Sequence, residues 1–71
     1  MDTKQKKLAK RLGQNISKIR RERGMTSERL AYENDISKGY LSNIENGNRL
    51  PSLIMLLRLS DAMDVDVKEF F

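Results

Sequence analysis

Leu8, Leu12, Ile16 and Ile19 recur at steps of four, four and three. That period places them on one stripe of a helix, with Lys10, Arg11, Lys18 and Arg21 off it. The pattern predicts a first helix from about Leu8 to Arg23, stopped by Gly24, which takes the left-handed backbone that ends a helix. Residues 1–7 are polar and lysine-rich and read either as a frayed arm or as a first helical turn. Two short helical patterns follow. Thr26 is a good N-cap for the first of them, and Leu30 and Ala31 supply its apolar side. Asn34-Asp35 breaks the pattern with two residue types that tolerate a sharp turn. Ser37 caps a third helix, in which Leu41 and Ile44 share a face and which Gly47 stops. Ser52 caps a fourth, running to about Met63. Its predicted buried face is Leu53, Leu56, Ser60 and Met63, with Leu57 and Leu59 on the borders. Ile54 and Met55 are left without a core partner, and Leu50 lies near them in the preceding loop. Asp66, with Glu69 three residues on, predicts a capping box on a last short helix, and Val65, Val67 and Phe70 close the core. The expected architecture is all-α, five helices in one domain spanning residues 1–71.

At about 100° per residue along the third helix, Ile44, Ser37 and Glu45 fall within roughly 60° of Leu41. Gly39, Asn43 and Asn46 lie on the opposite side with Ser42 beside them, and Lys38 and Tyr40 flank that face. The outer side is therefore small and polar. Asparagine can bond adenine in bidentate fashion, and lysine can donate to guanine. A polar outer face on a lone helix is ordinarily just a solvated face. Here a capped helix and a tight turn precede it, and helix–turn–helix with a polar second helix is the layout that enters a DNA major groove.

Three runs carry a family resemblance: GMTSERLA from Gly24 to Ala31, ISKGYLSNIENG from Ile36 to Gly47, and Pro51-Ser52-Leu53. Together they resemble the Cro/repressor (XRE-like) helix-turn-helix family, and the match extends from about Leu12 to Phe70. The resemblance implies a compact five-helix domain of lambda-repressor-like type, with the helix-turn-helix formed by helices 2 and 3. It implies that Arg20 pairs with Glu45, tying helix 1 to the recognition helix, and a planar guanidinium suits a partly buried carboxylate. Contacts to DNA base edges are expected from Lys38, Ser42 and Asn43, with Gly39 allowing the helix backbone to approach the groove. The competing reading of Gly39 is a neutral substitution. Backbone contacts are expected from Ser27, Ser37, Tyr40, Asn46 and Arg49; at Ser27 many relatives carry the longer glutamine. Departures from the family are plain at Asn34-Asp35 and at Asp64, where relatives favour glycine at the turn, and at Gly39, where they carry a longer side chain. Relatives also carry polar residues where this chain has Ile54 and Met55, and they dimerise near the helix 3–4 loop and helix 4. A homodimer is therefore expected, with Leu50, Ile54, Met55 and Leu57 in the contact.

Charge sharpens this picture. The net charge is +4, but residues 1–24 hold nine Lys/Arg against two Asp/Glu, while the rest of the chain is slightly acidic. A basic end attracts polyanions, although a solvated basic helix without a partner has the same composition. The chain has no cysteine or histidine, which removes disulfides, thiolate nucleophiles and the usual zinc ligand sets. No nucleophile–base pair and no glycine-rich phosphate loop can be picked out, so an enzyme is not expected. No apolar run suits a signal peptide or a membrane span, and neither a cofactor nor a small-molecule ligand is implied. The expected function is a sequence-specific transcriptional regulator binding double-stranded DNA at a palindromic operator. The resemblance sets it in a bacterial, archaeal or phage-encoded cytoplasmic context. The alternative is a protein-interaction module on the same scaffold, in which the face bearing Asn43 is merely solvated.

Overall fold

The computed structural model describes residues 1–71. Four α-helices follow in order: α1 (Thr3–Glu22), α2 (Ser27–Glu33), α3 (Lys38–Glu45) and α4 (Leu53–Met63). A single 3-10 turn, Val67–Phe70, closes the chain where a fifth helix was expected. The Asp66 carboxylate there accepts from the Lys68 amide at 3.0 Å, one residue short of the reciprocal box expected with Glu69. The first helix also begins five residues earlier than its apolar stripe. Asp2 caps it, accepting from the Gln5 amide at 2.8 Å while Gln5 reaches back to the Asp2 amide at 3.1 Å. This capping box organises residues 3–7 as helix, so they form no arm.

α1 lays Leu12 and Ile16 against Leu30 and Ala31 of α2, Leu41 and Ile44 of α3, and Leu56, Leu59 and Met63 of α4. Phe70 fills the remaining side with no exposed surface. It is held there by Asn15 of α1, whose side-chain amide donates to the Phe70 carbonyl at 2.8 Å. The buried stripe of α4 is Leu56, Leu59, Ser60 and Met63, which differs from the expected set. Leu59 is fully buried, while Leu53, in the first turn at the rim of the core, is mostly exposed. Met55 is half-buried and packs on the core instead of standing free.

Every helix ends in the same way. One amide near each end bonds back five residues: Met25 to Arg20, Ile36 to Ala31, Asn48 to Asn43 and Val65 to Ser60, at 2.8–3.1 Å. This closure needs one residue with positive φ. Gly24 and Gly47 supply it at two ends, and Asp35 (φ 55) and Asp64 (φ 56) at the others. Each aspartate carries a cost of about 1 kcal/mol relative to glycine. Asn34 is buried in the first of these turns, donating to the Leu30 carbonyl at 2.9 Å and accepting at its own carbonyl from Arg58 of α4.

Candidate nucleic-acid interface

Two serine or threonine hydroxyls set the directions of α2 and α3. Thr26 accepts from the Arg29 amide and Ser37 from the Tyr40 amide, both at 3.0 Å. Between the two helices the left-handed Asp35 turns the chain sharply, as the break at Asn34-Asp35 predicted. The inner side of α3 buries Leu41 and Ile44 completely. Two apolar anchors are few for a helix that must hold its orientation, and two further devices supplement them.

The first is the predicted pair of Arg20 and Glu45. Arg20 Nε lies 2.8 Å from Glu45 Oε2 and Nη2 lies 3.1 Å from Oε1, a bidentate fork. The remaining nitrogen donates to the Met25 carbonyl at 2.9 Å. Both side chains are nearly buried, 13% and 11% exposed. The hydrogen bonds to Glu45 raise the Arg20 pKa above its ordinary value against the opposing effect of burial, so the guanidinium stays charged. The second device is Gly13. A Cβ there would sit 2.3 Å from the Ile44 carbonyl oxygen and 2.7 Å from that of Glu45, so α1 lies with its bare backbone against the last turn of α3. At the following turn Gly47 closes on Lys10 in the same fashion. Glycine inside a helix costs about 1 kcal/mol, which was the signal in the sequence for this close approach.

The side turned away from these anchors is small, polar and exposed: Gly39, Ser42, Asn43 and Asn46. Asn46 Nδ2 donates to Ser42 Oγ at 3.3 Å, and Asn43 has no side-chain partner. Gly39 meets nothing closer than Ser37 Oγ at 3.9 Å, so packing does not require a glycine there. At one edge Arg49 lies over the ring of the half-buried Tyr40, 5.1 Å from its centre. At the other, Lys38 reaches Glu28 at the start of α2, whose carboxylate also accepts from Ser27 Oγ. Glu28 is held below the usual carboxylate range, first by its own backbone amide at the helix start and then by Lys38 and Ser27. The structure thus gathers Gly39, Ser42 and Asn43 of the predicted base-contacting residues, with Asn46, on one exposed side of α3, and sets Lys38, Ser27, Ser37, Tyr40 and Arg49 around its edges. Neither the Glu28–Lys38 pair nor the Arg49–Tyr40 stack was anticipated, because each joins residues about ten apart whose meeting depends on how the helices are placed.

A second surface stands apart from this one. Leu53, Ile54 and Leu57 share helical spacing at the start of α4, Leu50 precedes them in the loop, and in chain order the four are 38%, 63%, 70% and 44% exposed. Three of the four expected contact residues lie on it. Leu53 joins them and the half-buried Met55 does not. No helix is long and apolar enough to cross a membrane.

Comparison with known proteins gives these surfaces a context. The family model described as helix-turn-helix matches residues 16–70. An uncharacterised HTH-type transcriptional regulator of Sinorhizobium fredii, y4dJ, is 38% identical over 58 residues, covering 82% of this chain and 75% of its own length. Among solved structures, the restriction-modification controller protein C.AhdI from Aeromonas hydrophila superposes with a TM-score of 0.84 at 30% identity, over 89% of this chain and 96% of that one. The controller protein C.Esp1396I, solved as a tetramer in complex with its natural 35 base-pair operator, gives a TM-score of 0.79 at 34% identity, over 90% of this chain and 84% of that one.

Proposed function

This chain belongs to the helix-turn-helix family of DNA-binding transcriptional regulators, and we propose that it acts as a homodimer on a palindromic operator. The observation that carries this reading is the pairing of two exposed surfaces of opposite character on one small domain. The first is the polar outer side of a firmly seated α3, of a size and chemistry suited to the major groove. In the complex Asn43, Lys38 and Ser42 contact base edges, and Gly39 lets the helix backbone come close. Ser27, Ser37, Tyr40, Asn46 and Arg49 meet phosphate and sugar, which positions the protein without reading sequence. The second is the apolar stripe of Leu50, Leu53, Ile54 and Leu57. Single exposed apolar side chains are ordinary, but a contiguous stripe on a domain of this size marks an interface.

A twofold dimer through that stripe sets two copies of α3 about 34 Å apart, one turn of duplex, and so reads an inverted repeat. Occupancy of the operator then blocks or recruits polymerase. Selection of binding sites from a random duplex pool, followed by sedimentation of the protein alone and on the selected site, tests this reading. The selected sites should be palindromic and the complex should hold two copies. The variant Ile54→Glu with Leu57→Lys should remain folded, bind a half-site and lose cooperative binding to the full site. Met55 is left intact because it packs on the core. A wild-type protein that is monomeric on its selected site, or a variant that dimerises like wild type, would assign the stripe another purpose.

A further inference from the structure

Glu28 and Lys38 belong to different helices yet meet at their starts, Lys38 Nζ donating to Glu28 Oε2 at 3.0 Å. Lys38 occupies the first position of α3, where the partial positive charge of the helix end disfavours a cation. No acidic residue stands in α3's own first turn, so the offsetting charge comes from α2. The second carboxylate oxygen is engaged as well, accepting from Ser27 Oγ at 3.1 Å. Both members of the pair are about two-thirds exposed. Exposed pairs contribute little to stability, so holding the fold together does not account for this one.

We propose that Glu28 is a specificity-determining residue: by tethering Lys38 it withholds that ammonium from indiscriminate phosphate contact while leaving it able to donate to a base edge. The inference rests on the DNA-binding reading given above. A free lysine ammonium is a point charge that any phosphate satisfies, and such contacts supply essentially all sequence-independent affinity. Glu28 competes for the ammonium and presents a negative charge to an approaching backbone. Of the three ammonium donors one goes to Glu28, and two remain for guanine O6 and N7 in the groove. The base contact therefore needs no release of the pair, whereas a phosphate must displace the carboxylate or sit beside it. Discrimination rises because the wrong complex is penalised more than the right one.

The test compares wild type, Glu28→Gln, Lys38→Ala and the double variant by fluorescence anisotropy, on the selected operator and on random duplex, across a salt series. Glu28→Gln should tighten random-duplex binding severalfold, steepen the salt dependence by about one unit and narrow the operator-to-random ratio. In the Lys38→Ala background the same change should leave only the smaller gain of a lost negative charge, comparable to that of Glu33→Gln. Glu33→Gln serves as the control: it removes one negative charge and frees Arg29, its partner at 3.4 Å, at the far end of α2. The control should shift random-duplex binding less, and all variants should melt with wild type. The proposal is overturned if Glu28→Gln leaves random-duplex binding and its salt slope unchanged, if its full gain persists without Lys38, or if Glu33→Gln matches it. A wild type that binds no duplex at all would remove the DNA-binding reading itself and this inference with it, an outcome distinct from the other three.

Discussion

α3 and α4 begin alike, each with a serine hydroxyl accepting from the amide three residues on, and each buries an aliphatic stripe. What they turn outward is opposite. α3 shows glycine, serine and two asparagines, while α4 and the residue leading into it show three leucines and an isoleucine. The way each is held follows from that difference. α4 buries Leu56, Leu59 and Met63 beside Ser60 and still has apolar residues to spare, so apolar burial is its main seat, joined by the Arg58 hydrogen bond to the Asn34 carbonyl. α3 keeps its outer face small and polar and buries only Leu41 and Ile44, so its seat is completed by the Arg20–Glu45 fork and by backbone contact at Gly13. A helix specialised for reading a polar surface gives up apolar anchorage, and a neighbouring helix restores it with polar and steric constraints.

The largest expected effect breaks α3's seat. Glu45→Ala should cost about 3–5 kcal/mol, because it leaves the Arg20 guanidinium nearly buried without its partner. Urea unfolding would register the loss, and an unchanged midpoint would mean that Leu41 and Ile44 suffice. Gly13→Ala comes next. Alanine favours helix by about 1 kcal/mol, yet its methyl has no room beside the Ile44 carbonyl, and overpacking of this kind typically costs about 1–3 kcal/mol. The sign of the change in melting temperature decides whether α1 and α3 are as tightly apposed as they look. Asn43→Ala should leave stability within about 0.5 kcal/mol and weaken operator binding by about 1–3 kcal/mol, relaxing preference at one base pair. Equal loss on operator and random DNA would remove Asn43 as a reader. The smallest effect concerns the turns on either side of the comparison. Asp35→Gly, before α3, and Asp64→Gly, after α4, should each raise stability by about 1 kcal/mol by relieving positive φ. If only Asp64→Gly stabilises, Asp35 makes a compensating interaction in its turn.

Much of this molecule was legible along the chain, because the deciding interactions are local. Capping hydroxyls at Thr26, Ser37 and Ser52, and left-handed stops at Gly24, Asp35, Gly47 and Asp64, act within a few residues and carry the helix boundaries. The stripe of α1 and the division of α3 into apolar and polar sides follow from helical period in the same way. One local signal passed over was Asp2 with Gln5, hidden in a lysine-rich stretch whose apolar pattern had not yet begun. The pairing of Arg20 with Glu45 came through family resemblance, since nothing within either helix announces a partner 25 residues away.

The rotation of α4 was beyond local reasoning. Eight apolar residues from Leu53 to Met63 admit more than one buried face, and only the positions of the other helices select Leu59 over Leu53. The same holds for Gly13 against α3, for Arg49 over Tyr40, and for Glu28 beside Lys38. Each of these depends on distances between elements, which are set by the packing of the whole core. The sequence by itself determined where the four α-helices stop and which side of α3 is polar, because backbone capping and helical period are short-range. Only the tertiary structure decided how those helices lie against one another, because several packings satisfy the same pattern and the close approach of backbones and charges chooses among them.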